Sequence, residues 1–568
     1  MSTAAAAARP RSVLAALDRA AGTVTRHVVI SLVVLVAVQV LATVALFFSV
    51  NRNGWLTYQG GDQIWLVTSG WLLGHGTMPY ALTSHGWPML LAPLTWITGS
   101  SSVDLLPLTT ILQVGLLAPV ATLAVYDIGA RLAGRLAGLW CAAAFVAAPF
   151  VAIPYFVQRY HDSWVDQFLP QALGLTQQAD FPSLVAVLVA AALTVRALEA
   201  FAYREAVLAG TFAGVALALK PANALFLGGP ALAFLIARRW RQATLFAVAL
   251  APALLALTLW KWRGLGEVPL FAVGGTRLAA GLGDPAVASV TTWFDRTVHL
   301  DFDTWKQNMS NLREFSWSAR VLQFLAVAGV VAVARRSLPA AGLLGGWLLG
   351  YVVVKGAADV ATVESGSYWR LIMPALPAFV LLTASVPLLV PTLMERMGPR
   401  LAPVPGGRPG RRTTIAVVAF LAIVPIAVIL PLDQKRLTRQ PEAPYAYVIP
   451  ELVVDGIGVP VDGGVVSLDV RRVGGANVLT WTDSTKRART FYRVYRSSLS
   501  RGFSEMVCEL RGGDRCDLRM ETLVVTRERR YVDADPPADA IYRVGVAANW
   551  LDEADRGDVF VISPPAAP

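Results

Sequence analysis

Long apolar runs separated by short polar connections fill most of the chain, and a period-two alternation takes over near its C-terminal end. The apolar runs lie at 28–50, 105–126, 136–153, 182–199, 205–219, 221–237, 243–260, 318–334, 340–356, 371–391 and 413–432. A helix needs about 20 apolar residues to cross a hydrocarbon core. The pattern therefore predicts an α-helical polytopic membrane protein with about 11 spans, several of them short or interrupted by proline. Alternating segments at 464–470, 477–482, 490–496, 522–532, 540–548 and 557–562, with turn residues between them, predict a small β-sandwich.

Composition agrees with this reading: 55% of the 568 residues are hydrophobic and 15% charged, against about 25% charged in soluble domains. The net charge of +11 would suit nucleic acid, but its distribution argues instead for membrane orientation and contact with anionic lipid. Arg9, Arg11, Arg19 and Arg26 precede the first run. Every second connection then carries arginine: Arg131 and Arg135; Arg204; Arg238, Arg239 and Arg241; Arg335 and Arg336; Arg396, Arg400, Arg408, Arg411 and Arg412. By the positive-inside rule the lead 1–27 is cytoplasmic. The loops 51–104, 154–181, 261–317 and 357–370 face outward, as does the β-rich tail 433–568. No cleavable signal peptide is expected, because the first run is long enough to span. Cys141 reads as a packing residue, whereas Cys508 and Cys516, in the outward tail, predict a disulfide.

Candidate chemistry gathers in the outward connections. Gly60 and Gly61 permit a turn, after which Asp62 can cap a short helix running roughly to Leu73. A carboxylate held at a membrane surface is also a candidate base. Asp180 opens the next-but-two apolar run, where it either caps that helix or faces a polar cavity. Lys220 interrupts TFAGVALALKPANALFLGGP at the turn of a predicted helical hairpin. It either snorkels or supplies a fixed charge for a phosphate. Arg370 starts a span on the outward side, against the charge trend, and either pairs with Glu364 or binds an anion. His75, His85 and His161 match no metal-ligand spacing, so no cofactor is expected and a divalent metal is not supported.

Four stretches together resemble GT-C fold glycosyltransferases of the protein mannosyltransferase and aminoarabinose transferase type, over roughly residues 28–390. They are GGDQIWLVTSGWLLGHGTMPY; SHGWPMLLAPL; QQADFPSLVAVLVAAAL; and ALALKPANALFL with the later YWRLIMPALPAFVLL. Many relatives carry an Asp-Glu pair where this chain has Asp62-Gln63, which counts against a two-carboxylate metal site. The tail, with Trp481, YRVYRSS and IYRVGVAAN, resembles a fibronectin type III-like module.

The resemblance implies transfer of a sugar from a polyprenyl-phosphate donor to an envelope glycan, lipid or protein at the outer face of a bacterial plasma membrane. Asp62 would be the base, with Asp180 orienting it or replacing it. Lys220 and Arg370 would bind the donor phosphate, and Gln63, His85, Tyr160, His161, Glu364 and Tyr368 would contact donor or acceptor. One base with direct displacement predicts inversion. The Ala/Arg/Val-rich usage points to a high-GC bacterium, where arabinofuranose or mannose on a polyprenyl carrier would be the donor. The competing expectation is a transporter or flippase of a lipid-linked precursor. Against it, no inverted repeat of spans is visible and the polar residues cluster toward one side.

Overall fold

In the computed structural model the apolar runs fold as helices, and the residues described are 21–49, 61–76, 78–79, 81, 83–98, 102–151, 168–199, 202–265, 301–315, 321–357, 367–391, 409–432, 466–484, 491–498, 521–538, 540–547, 559–563 and 566–568. The Cys508–Cys516 pair lies outside them. Each of the eleven apolar segments is helical over most of its length. Among the described residues, seven helices are long and apolar enough to cross a membrane: Val28–Phe47, Leu105–Ala133, Asp180–Glu199, Trp240–Gly264, Leu338–Gly356, Tyr368–Leu389 and Arg411–Ile429. Arg135–Phe150, Pro221–Ile236 and Phe324–Ala334 are apolar but shorter, and Tyr203–Leu219 has 17 residues. At 1.5 Å per residue such helices cover at most about 26 Å, less than the ~30 Å hydrocarbon core. The span-length helices are therefore fewer than the eleven expected.

Burial sorts the helices into a centre and a rim. Asp180–Glu199 is enclosed on nearly all sides, as an apolar helix without a polar face should be. Val28–Ser49 and Arg411–Ile429 instead expose most of their apolar side chains, with Val29 70% and Ile423 61% exposed. Apolar surface on that scale marks contact with lipid or protein. Tyr203–Leu219 packs closely on Trp240–Leu265 through Gly210 and Gly214. A Cβ at Gly210 would sit 2.1 Å from the Phe246 carbonyl oxygen, and one at Gly214 2.7 Å from the Ala253 Cβ. Small residues four apart give this approach in membrane helices.

Two helices are interrupted. Within the expected 371–391 span, the chain passes from Ser367–Ile372 through a 3-10 turn at Met373–Ala375 to Leu376–Ala384 and a second turn at Val386–Leu389. Pro374, Pro377 and Pro387 withhold the amide protons that a continuous helix needs. The Pro374 carbonyl is satisfied instead by the Trp347 indole, at 3.0 Å. In the second case, a π-helical turn at Ile111–Leu117 joins Ser102–Thr110 to Ala118–Ala133, so the expected span at 105–126 continues to Ala133.

In the tail, β1 (Val466–Val473), β2 (Ala476–Asp483) and β5 (Arg530–Asp533) form one sheet in the order β1-β2-β5. The other sheet holds β3 (Phe491–Ser498), β4 (Glu521–Thr526), β6 (Ala540–Ala547) and β7 (Val559–Ile562), in the order β4-β3-β6-β7. Val466, Leu479 and Trp481 from the first sheet pack against Tyr492, Val494, Tyr542 and Val544 from the second, making a two-layer sandwich. The single strand expected at 522–532 is two strands. β4 pairs with β3, whereas β5 pairs with β2, so the chain changes sheets across Arg527–Arg529. The turn is closed by the Glu528 amide donating to Thr526 Oγ1 at 3.0 Å.

Candidate functional site

Asp180 is the first residue of the central helix, and its side chain is 2% exposed. A buried carboxylate needs cationic partners, and two distant segments provide them. Lys220 Nζ donates to Asp180 Oδ1, and Arg370 Nε donates to Oδ2 at 3.4 Å. The pairs join positions 40 and 190 residues apart. One carboxylate between two cations leaves the trio with an excess of one positive charge.

Local sequence explains how Lys220 reaches this point. Pro221 disfavours helix at the residue before it, so Tyr203–Leu219 ends and Lys220 is extended (φ −150°, ψ 109°) before the 3-10 turn Pro221–Leu227. Asn223 secures the break. Its Nδ2 donates to the Ala216 carbonyl at 2.8 Å, which also accepts from the Lys220 amide at 2.9 Å, and its Oδ1 accepts from the Tyr351 hydroxyl at 2.6 Å. Arg370 is on the short Ser367–Ile372 helix ahead of the proline interruption. Beside it, Tyr368 is fully buried, its ring edge-on to Trp369, and its hydroxyl has no hydrogen-bond partner among the described residues.

The connection before the Gly86–Thr98 helix is stitched to both parts of this cluster. Ser84 Oγ donates to the Leu219 carbonyl at 2.6 Å, next to Lys220. The Trp87 indole donates to the Gln177 carbonyl at 2.7 Å, three residues before Asp180. Between them Gly86 lies so close to the Tyr203–Leu219 helix that a Cβ would sit 2.6 Å from the Ala218 carbonyl carbon. His85 is buried, with neither ring nitrogen hydrogen-bonded among the described residues. Burial, and secondarily the Lys261 ammonium, push its pKa down from 6.5 to about 3, so the ring is neutral at ordinary pH. Lys261 itself donates to the Ala81 carbonyl at 2.6 Å.

Asp62 and Gln63 lie in the first turn of Gly61–Gly74; their side chains are outside the described residues. That helix begins at Gly61, so Asp62 is inside its first turn rather than ahead of it as an N-cap. An acid there still suits the helix dipole. Gly70 rests against Pro88–Leu91 and Gly74 against Ala92–Trp96. The two helices therefore run side by side in the same direction. The turn carrying Asp62 comes at the end of the pair where Gly86 begins the second helix. Tyr160, His161 and Glu364 fall outside the described residues, so the Glu364–Arg370 alternative does too. Among the described residues, no group of three or more His, Cys, Asp or Glu side chains converges as a metal site.

Sequence reasoning passed over Asn223 and Tyr351, which hold the Lys220 turn, and Lys355, at the same end of its helix as Tyr351. Lys355 carried a signal like the one used for Arg370: a cation at the end of an apolar run expected to face outward.

A second charge cluster occupies the other terminus of the central helix. Arg131 Nε donates to Asp127 Oδ2 at 3.0 Å, and its Nη1 donates to Glu199. Arg196 clasps both Asp127 oxygens, Nε at 2.9 Å and Nη2 at 3.0 Å. Two acids and two arginines balance. Arg131, read above as an orientation marker, is buried and its charge is met within the bundle.

No family model matches the chain, and comparisons with curated proteins and with solved structures find no match.

Proposed function

We propose that this protein is a membrane glycosyltransferase that moves a sugar from a polyprenyl-phosphate donor to a hydroxyl of an envelope acceptor. The observation that carries the proposal is the Asp180–Lys220–Arg370 cluster, in which two cations from distant segments converge on one carboxylate among apolar helices. Cations gathered in an apolar setting mark a place for an anion, and a lipid-borne phosphate delivers one from the membrane itself. Lys220 and Arg370 bind that phosphate and stabilise the charge that grows on it as the sugar departs. Asp180, with both oxygens engaged, sets the spacing of the two cations and does not act as base.

Asp62 takes the acceptor proton as the hydroxyl attacks the anomeric carbon, with inversion. The parallel course of its helix with Gly86–Thr98, whose first residues are stitched to both Leu219 and Gln177, favours that role over a remote one. His85 and Tyr368 contact the bound sugar or acceptor. Gln63, Tyr160, His161 and Glu364 complete the site in this reading. In this reading the site lies at the outer face of a bacterial plasma membrane with the C-terminal domain on the same side, and the positive-inside pattern supports that orientation. The sheet orders β1-β2-β5 and β4-β3-β6-β7 support a fibronectin type III-like domain there.

The test is incubation of the purified full chain with radiolabelled polyprenyl-phosphate sugars, arabinofuranose and mannose first, and envelope acceptors. Transfer that disappears in Asp62→Ala supports the proposal. If a broad donor panel gives no transfer and Asp62→Ala leaves cellular glycans unchanged, the proposal fails. Movement of intact donor across vesicles would favour a flippase instead.

A further inference from the structure

A third cation approaches the cluster from the Leu338–Gly356 helix. Tyr351 of that helix is tied to Asn223 at 2.6 Å, and Asn223 is three residues beyond Lys220. Lys355 follows Tyr351 by four residues, so it lies one turn on along the same helix face. There it experiences the repulsion of the Lys220 ammonium. Lys355 is half-buried, and among the described residues it makes no hydrogen bond or ion pair. Its position is nonetheless fixed, because the Phe302–Phe315 helix holds the same turn: Asn308 Nδ2 donates to the Gly356 carbonyl at 2.9 Å, and the Trp305 indole to the Val352 carbonyl at 3.3 Å. Two ammonium groups set near one another, one of them without an acid, describe a place for an anion of more than one charge.

We propose that Lys355 is a further phosphate-binding residue, matched to the leaving group rather than to the incoming donor. The inference rests on the lipid-phosphate reading above. In the donor the phosphate is a diester with one negative charge, which Lys220 and Arg370 hold beside Asp180. During transfer the acceptor oxygen bonds to the anomeric carbon and its proton goes to the Asp62 carboxylate. The bond from that carbon to the phosphate oxygen breaks, and its electron pair stays on the oxygen. The product is a lipid phosphate monoester with two negative charges. Lys355 supplies one positive charge that no acid among the described residues meets, matching the one negative charge the phosphate gains. The site with Lys355 therefore complements the developing monoester better than the diester, and a charge met only as the reaction proceeds lowers the barrier.

Two probes separate the charges: farnesyl phosphate, a dianion at pH 8, and its methyl diester, a monoanion. The full chain in lipid nanodiscs is expected to bind the dianion about tenfold more tightly than the diester. Lys355→Gln should reduce that ratio to about one while leaving the diester Kd within about twofold, and Lys355→Arg should restore it. Lys355→Met, which keeps the apolar stem, should repeat the loss. In the transfer assay Lys355→Gln should lower kcat about 100-fold with donor KM within about threefold. A preference for the dianion that persists in both Lys355→Gln and Lys355→Met overturns this assignment and leaves the lipid-phosphate reading standing. Failure of the wild-type chain to bind either probe overturns both.

Discussion

The two ends of the Asp180–Glu199 helix carry ion clusters of opposite design. At the Glu199 end, Asp127 and Glu199 meet Arg131 and Arg196, two charges against two, with Arg131 and Glu199 nearly sealed. At the Asp180 end, one acid meets Lys220 and Arg370, with the cations 16% and 22% exposed. The balanced cluster matches acids to arginines one for one, although the buried Glu199 Oε1 has no hydrogen-bond partner among the described residues. It pins the Asp180–Glu199 helix to Ala118–Ala133. The Asp180 cluster is also held in place, by Asn223, Tyr351, Ser84 and Trp87, and its two cations share one carboxylate. Buried ion pairs by themselves say little about function; two partly exposed cations converging on one acid, on a rigid frame, say more.

The comparison can be broken by substitution at each end. The largest effect should fall on chemistry at the Asp180 end. Arg370→Gln should lower sugar transfer by 100-fold to 1,000-fold, roughly the value of one fixed donor to a developing oxyanion, with little change in Tm. At the other end, Arg131→Gln should leave specific activity per folded molecule unchanged and destabilise the protein by about 3–5 kcal/mol, because it strands buried carboxylates. Denaturation in detergent alongside the transfer assay reads both; equal loss of activity from the two would erase the distinction.

A smaller effect is expected from Gly86→Ala. Its Cβ would meet Ala218 at 2.6 Å, and relief must come from backbone next to Lys220. A cost of about 1–3 kcal/mol, with a raised donor KM, would show that this contact positions the cation. An unchanged KM would confine Gly86 to packing.

A further effect concerns pH. His85 titrates near 3 when folded and 6.5 when unfolded. Between those values the unfolded chain binds the extra proton, so stability is complete above pH 6.5 and declines as pH falls toward 3, by at most about 1.4 kcal/mol per unit. In unfolding measurements between pH 7 and 5, His85→Asn should flatten this slope. A slope that stays as steep would assign it to other groups.

Much of this arrangement was legible in the chain. Asp180, Lys220 and Arg370 each interrupt or open an apolar run, and the alternating arginine connections predict that all three face one side of a membrane. Pro221 announced the break that exposes Lys220. What sequence could not show is pairing across 40 and 190 residues, since contact between helix ends depends on how the bundle packs. Thus Asp180 read as a cap or a cavity acid rather than as the counter-charge of both cations, and Arg131 and Arg135 were counted alike although, among the described residues, Arg131 and not Arg135 enters the buried tetrad. Pro374, Pro377 and Pro387 signalled an irregular span but not where its carbonyls would find partners; Trp347, the partner of Pro374, belongs to another helix. In the tail, the alternation at 522–532 ran through a change of sheet because strand periodicity is the same in both sheets.

The most direct test of the central claim is a thermal-shift titration of the full chain with farnesyl phosphate, comparing the two ends of one helix. Wild type and Arg196→Gln, each measured against its own unliganded Tm, should be stabilised to similar extents, by about 2.7 kcal/mol at 100 times Kd. Lys220→Gln and Arg370→Gln should show little stabilisation at the same concentration. Equal stabilisation of all four proteins, or loss of the response in Arg196→Gln alone, would contradict the account.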